Sequence, residues 1–270
     1  MSSTSVIGFD SAWTDQVKAP GAVSIIRVVE GQPTEFVAPR LSSFAQALAI
    51  IEEERRQFER CFVALDQPTI VPNATGSRPV DKVAASLISW VGGGVQPANR
   101  SKKGMFDDDA PVWAFKDALG ATENPEGARV ASSGMFIAEV FPALALPSLS
   151  AEFCGRLMGP RYNPGRRKTF RIEHWGAVLT CVSAVGATLG IPDLEVWCGH
   201  HRLARPPSKA DQDLLDGVLC ALIGYMWLFL PRSHALMIGD IETGYMLTPA
   251  VGEARLRLQA AAAGRGVPCA

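Results

Sequence analysis

The chain has 270 residues, 47% of them hydrophobic, with 26 basic and 27 acidic side chains and a formal net charge of −1. This length and apolar content exclude a disordered chain and suit one large domain or two small ones, with enough residues to bury a core. The charge balance excludes a strong whole-protein attraction to nucleic acid, so any such site has to be a local basic patch.

The stretch 6–13 (VIGFDSAW) predicts a short apolar strand in mid-sheet that delivers Asp10 at its end. A charge there is costly unless it is paired or holds a metal. Residues 22–29 (AVSIIRVV) predict a second strand, 31–33 a turn and 34–38 a short third strand, together a hairpin partner for the first. A helix is expected over 42–60, capped by Ser42 or Ser43, with Phe44, Leu48, Ile51 and Phe58 as its apolar positions. Residues 61–66 (CFVALD) predict a fourth strand, apolar as if covered on both faces, ending in Asp66 and stopped by Gln67-Pro68. The helix before it lets it run parallel to the first strand. Asp10 and Asp66 then emerge on one sheet edge, where open α/β sheets bind ligands.

After a loop at 69–79, residues 80–91 predict a helix. Residues 92–135 are the least regular part: three consecutive glycines, a basic cluster (Arg100, Lys102, Lys103), an acidic run (Asp107, Asp108, Asp109) and a short helix near 110–119. This segment reads as an insertion or lid. Residues 136–141 (FIAEVF) predict a fifth strand with Glu139 inside it. A short helix near 151–157, an apolar helix over 172–189, a polar connection over 190–207 and a long helix over 208–230 follow. Ser208 with Asp211 has the pattern of a capping box. Residues 240–249 predict a β-turn-β element or loop, 253–263 a terminal helix, and the last residues a mobile tail. The plan is mixed α/β with two parallel crossovers: one domain over 1–250, with 92–135 as its insertion, then the helix and tail of 251–270.

Six cysteines, at 61, 154, 181, 198, 220 and 269, show no CxxC pair and no zinc spacing and read as small core residues in a reducing compartment. Residues 1–5 lack the regions of a secretory leader, and the longest uncharged apolar run, 217–230, is short for a bilayer and reads as a buried helix. A cytoplasmic protein is expected.

Asp213 and Asp216 lie three apart on the long helix and share a face. Gly217, Cys220 and Gly224 continue that stripe, and small residues let a helix press against a sheet, bringing both carboxylates to the edge that holds Asp10 and Asp66. The preference for acids in a first helical turn accounts for Asp211 and partly for Asp213, but poorly for Asp216 about two turns in. Singly, Asp10 reads as a turn cap and Asp66 as an Asx-turn acceptor before proline. Together, acids on two strand ends and one helix stripe point to a site. Gathered carboxylates raise one another's pKa unless a cation neutralises them, and hard oxygen ligands select Mg2+ or Mn2+. Two such ions about 3.5–4 Å apart activate water and stabilise the leaving oxygen of a phosphodiester.

Arg78 suits either a bidentate grip on phosphate or a loop-ordering pair with Asp81. Arg161, Arg166, Arg167, Lys168 and Arg171 form the densest basic cluster, with Tyr162 and Trp175 nearby for stacking. It reads either as a nucleic-acid footprint or as a solvated loop and helix start. His200 and His201, adjacent on a loop, lack ligand spacing. Glu242 either points back to the acidic edge or sits in an ordinary turn. Ser11 lacks a local His-Asp partner set, and no P-loop or GxGxxG occurs.

The pieces GFDSAW (8–13), ALDQP with GSRPVD (64–68 and 76–81), EVFP (139–142) and DLLDGVLCAL (213–222), in this order and spacing, resemble the ribonuclease-H-like superfamily. Within it they resemble the family called domain of unknown function 429, described as predicted nucleases. DLLDG also looks like the C-terminal acidic pair of the RuvC-type resolvases. The resemblance implies a ribonuclease-H-like α/β fold: a mixed five-stranded sheet of order 3-2-1-4-5, helices on both faces and an insertion. It implies that Asp10 and Asp66 bridge or flank the metal ions, that Asp213 or Asp216 completes the shell, and that Glu139 is an extra ligand or water-orienting base. In the family pattern the residue before the EVFP proline is often histidine; here it is Phe141.

The expectation is a Mg2+- or Mn2+-dependent nuclease that hydrolyses nucleic acid by a two-metal mechanism. Its ligands are Asp10, Asp66, Asp213 and Asp216, with Glu139 beside them and Arg78, Arg166, Arg167 and Lys168 as substrate contacts. Two alternatives stand. One is a non-catalytic module of the same fold that binds nucleic acid or protein. The other is a nucleotide phosphotransferase of the actin-like fold, which normally duplicates the domain and carries glycine-rich phosphate loops not found here.

Overall fold

The computed structural model describes residues 2–15, 20–203 and 205–270. Strands β1 (Ser3–Asp10), β2 (Gly21–Val29), β3 (Gln32–Ser42), β4 (Arg60–Leu65) and β5 (Gly134–Glu139) form a five-stranded sheet in the order β3-β2-β1-β4-β5. β1 pairs antiparallel with β2 and parallel with β4, and β4 is parallel to β5. This mixed sheet and strand order match the expectation from sequence. β1 and β4 are apolar at nearly every position because both faces of the sheet are covered. Val6, Phe62 and Ala64 enter one core; Ile7, Phe9, Val63 and Leu65 enter the other.

The helices are α1 (Phe44–Gln57), α2 (Pro79–Trp90), α3 (Pro111–Leu119), α4 (Pro125–Val130), α5 (Pro142–Leu149), α6 (Ile172–Leu189), α7 (Leu194–Leu203), α8 (Lys209–Phe229) and α9 (Gly252–Ala263). α1 and α3 cover one face of the sheet through Phe44, Ile51, Val112, Phe115 and Leu119. α8 crosses the other face at backbone contact. A methyl group on Gly8 would stand 2.2 Å from backbone atoms of Gly217 and Ala221, so only glycine admits the helix there. α6 and α8 are both long and apolar enough to cross a membrane by length and composition, but 83% of the apolar stretch of α8 is buried, as in a core helix.

The sequence reading and the structure part company in several places. β3 runs over 11 residues, not five: it lies at the sheet edge, where Pro33, Pro39 and exposed polar positions are tolerated. Residues 92–135 pack onto the rest of the domain: Ala98 donates its N–H to buried Asp81, α3 supplies core side chains, and Thr122 bridges to Phe136 of β5. The helix expected near 151–157 is a single 3-10 turn at Ala151–Phe153, and the real helix, α5, starts earlier with Pro142 at its first position. α7 lies inside the polar connection, seated by Leu194, Cys198 and the edge of Trp197 on Phe36. The chain after α9 is not loose. It pairs with the second, two-stranded sheet of β6 (Ala235–Asp240) and β7 (Gly244–Pro249), through mutual backbone bonds of Met237 and Ala270 and a bridge from Ile238 to Cys269. All six cysteines are free, four of them buried.

Candidate active site

Strand alternation sets the site. Along β1, Val6, Gly8 and Asp10 point to the α8 side; along β4, Phe62 and Ala64 do so, and Asp66 is the next in that series. Gly8 is level with Ala64, so Asp10 and Asp66 leave adjacent parallel strands at the same height. α8, seated on Gly8 through Gly217, brings Asp213 and Asp216 from the turn before that contact. The four predicted carboxylates therefore line one cavity of about 560 Å³.

The strand exits are tied together. Ser11 Oγ donates to Gln67 Oε1 at 2.5 Å, and Trp13 Nε1 donates to the Asp66 carbonyl at 3.0 Å. Trp13 takes a left-handed backbone (φ 52°), a conformation held for a non-glycine residue by this bond and by its packing on Phe106.

The two pairs of acids are not equally provided for. Tyr162 Oη donates to Asp216 Oδ1 at 2.7 Å, the Gln212 side-chain amide donates to its other oxygen, and Lys209 pairs with Asp213. Asp213 also reaches Asp10. Apart from that contact, charge and burial act on the carboxylates of Asp10 and Asp66, and among the described residues neither accepts a hydrogen bond from an N–H group. Burial, reinforced by Asp66, Asp216 and Asp213, holds Asp10 well above the ordinary carboxylate range. Burial and Asp216 do the same to Asp66. Burial raises Asp216 to about 6, with Tyr162, Lys209 and Gln212 pulling it back. Oxygen-only donors, partly unbonded and in excess negative charge, fit a hard divalent cation. The side chains ring the cavity without closing on one point. Among the described residues no three His, Cys, Asp or Glu groups stand ready to coordinate an ion.

Glu139 departs from the expectation. It is level with Phe9 and Leu65, one residue short of the Asp10–Asp66 row, and alternates with Met135 and Ile137 on the opposite side. Both its oxygens accept from Arg78, at 2.6 and 2.7 Å, and one also accepts the Thr69 N–H at 3.2 Å. It borders the cavity as a paired ion, not as a free ligand or base.

Arg78 departs from the expectation as well. The side chain is fully buried, and its five N–H donors go to Asp81, Glu139 and the Ile70 carbonyl, leaving none for phosphate. The basic cluster divides: Arg161 and the exposed Arg166 line the cavity, whereas Arg167 and Lys168, also exposed, do not. Neither aromatic is a stacking platform. Tyr162 is buried with its hydroxyl on Asp216, and Trp175 lies in the core with its N–H toward the His201 carbonyl. His201 stacks on Trp197, and Glu242 is exposed in a turn held by Asp240.

Lys209, Gln212 and Tyr162 are site residues that sequence reasoning missed. The first two stand four residues before Asp213 and Asp216, a spacing that places them on the same helical face and was open to reading. Tyr162 arrives only through tertiary structure. Compared with protein-family models, curated proteins and solved structures, the chain finds no match in any of the three.

Proposed function

We propose that this protein is a ribonuclease-H-like nuclease that uses Mg2+ or Mn2+ to hydrolyse phosphodiester bonds of nucleic acid. The observation that carries the reading is the pair Asp10 and Asp66, level on adjacent parallel strands, with no N–H donor on either carboxylate among the described residues, and faced by Asp213 and Asp216. The sheet order and the motif resemblance support the fold assignment. Asp10 and Asp66 would hold the ions and Asp213 or Asp216 would complete the shell. Bound there, the ions neutralise the acids and lower the pKa of water. The protein's own part is to keep Asp216 oriented through Tyr162 and Gln212 and to offer Arg161 and Arg166 to the phosphate. In the hydrolysis, water adds to phosphorus, the bond to the leaving oxygen breaks, and that oxygen takes up a proton.

The test is calorimetric titration of Mn2+ and Mg2+ into the wild type and Asp10→Asn, followed by cleavage of a mixed nucleic-acid panel with both. Metal binding and metal-dependent cleavage in the wild type, both lost in the variant, are expected. Cleavage retained in Asp10→Asn removes the mechanism.

A second reading, a binding module without catalysis, is favoured by the Lys209–Asp213 pair, in which the protein supplies its own cation to the acids. It predicts nucleic-acid binding that persists with chelator and falls steeply with salt.

A further inference from the structure

We infer that the site takes one unpaired nucleotide at a time, delivered by a flexible single strand, and not a duplex. The inference rests on the nuclease reading and names its substrate class. Asp10, Asp213 and Asp216 are only 7%, 8% and 5% exposed, so a phosphate on the outside of a stiff rod does not reach them. The scissile phosphate has to enter the cavity. The space of about 560 Å³ is of the size that holds a small ligand.

The cavity has two kinds of lining. Beside the carboxylates it carries Ile88, Val91, Phe141, Leu146 and Met246, apolar side chains suited to the face of a base. Arg161 and Arg166 also line it, and neither guanidinium makes an ion pair among the described residues, which leaves both for phosphate oxygens. Gln212 adds an independent sign of a ligand. It is 5% exposed, its amide nitrogen is spent on Asp216, and its Oε1 is buried without a donor. A nucleotide offers O–H and N–H groups to such an acceptor. Arg167, Lys168 and Arg171 lie exposed on the adjoining segment, where the rest of an anionic strand would run.

The test uses 5′-fluorescein-labelled dT6 and a blunt-ended DNA hairpin of the same label. Binding is followed by anisotropy with Asp10→Asn, and cleavage with the wild type in Mn2+. The expected result is at least tenfold tighter binding of dT6 and its selective cleavage. Phe141→Ala should weaken dT6 binding about tenfold, the effect of losing one base–aromatic contact. Should that variant fold poorly, Gly94→Trp adds bulk at the cavity border, at a position where an added Cβ meets nothing within 4 Å, and the same loss is expected. A hairpin bound or cleaved as well as dT6 overturns this inference while leaving a nuclease. Selective dT6 binding without metal-dependent cleavage keeps the inference and removes the nuclease. No binding of either probe overturns it.

Discussion

Two clusters of buried acids border the same cavity, and they are finished differently. In one, Arg78 gives all five of its donors to Glu139, Asp81 and a carbonyl, and every partner is hydrogen-bonded. In the other, Asp10, Asp66, Asp213 and Asp216 share Lys209 as a side-chain cation, and two of the four accept no bond from an N–H group among the described residues. A complete buried ion network holds structure together; an incomplete one costs stability and persists where something else is to bind. On the proposed reading, the difference separates a structural charge from a functional one by counting donors against acceptors, not charges against charges.

The sharpest way to break this comparison is to delete Arg78. Arg78→Met leaves Glu139 and Asp81 buried and unpaired, and should cost about 3–5 kcal/mol in urea denaturation. A loss below about 1 kcal/mol, the value of an exposed pair, would mean that the network is not the fastening it resembles.

The second test is pH. Asp216 has a folded value near 6 against an ordinary 3.8, so the folded state binds more protons than the unfolded state between those values. Stability without metal should therefore fall as pH rises from about 4 to 6, by on the order of 2–3 kcal/mol. Asp10 and Asp66, also raised, extend the decline to higher pH. Asp216→Asn should flatten the curve. A wild type that gains stability across this window would show that the acids are already compensated. Smaller again, Asp10→Asn should raise metal-free stability, by on the order of 1 kcal/mol, because it removes one repelling charge. Its sign is opposite to that of Arg78→Met, and thermal melts in chelator would show whether the two clusters truly differ.

Much of this contrast was legible before the structure, and the rest was hidden for identifiable reasons. Apolar runs ending in Asp10 and Asp66, with a helix between the strands, foretold the shared edge, and the small residues of α8 foretold its close seat. Glu139 misled because it stands in a strand like the others. Its neighbours reveal the error only once the register with β4 is known, since a shift of one residue changes the face. Arg78 misled because a surface-loop arginine and a fully buried one look alike in sequence. Tyr162 came from a loop whose docking no local pattern encodes. α7 went unread because only Leu194 and Cys198 are buried, while Val196 and Leu203 are exposed among polar residues and blur the helical stripe.

The smallest predicted effect bears on the basic segment. Arg167→Ala combined with Lys168→Ala removes two exposed charges that do not line the cavity, so stability should change by less than about 0.5 kcal/mol. They meet only the part of dT6 that runs outside the cavity, where each phosphate contact on a single strand is worth a salt slope of about 0.7. Affinity should therefore fall less than about threefold, with the loss vanishing at high salt as exposed charges are screened. Arg166→Ala, made at the cavity lining, should cost more than the outer pair at low salt. If the outer pair matters more than Arg166, the strand lies along the surface of the loop, and the acids at the sheet edge are not where its phosphates go.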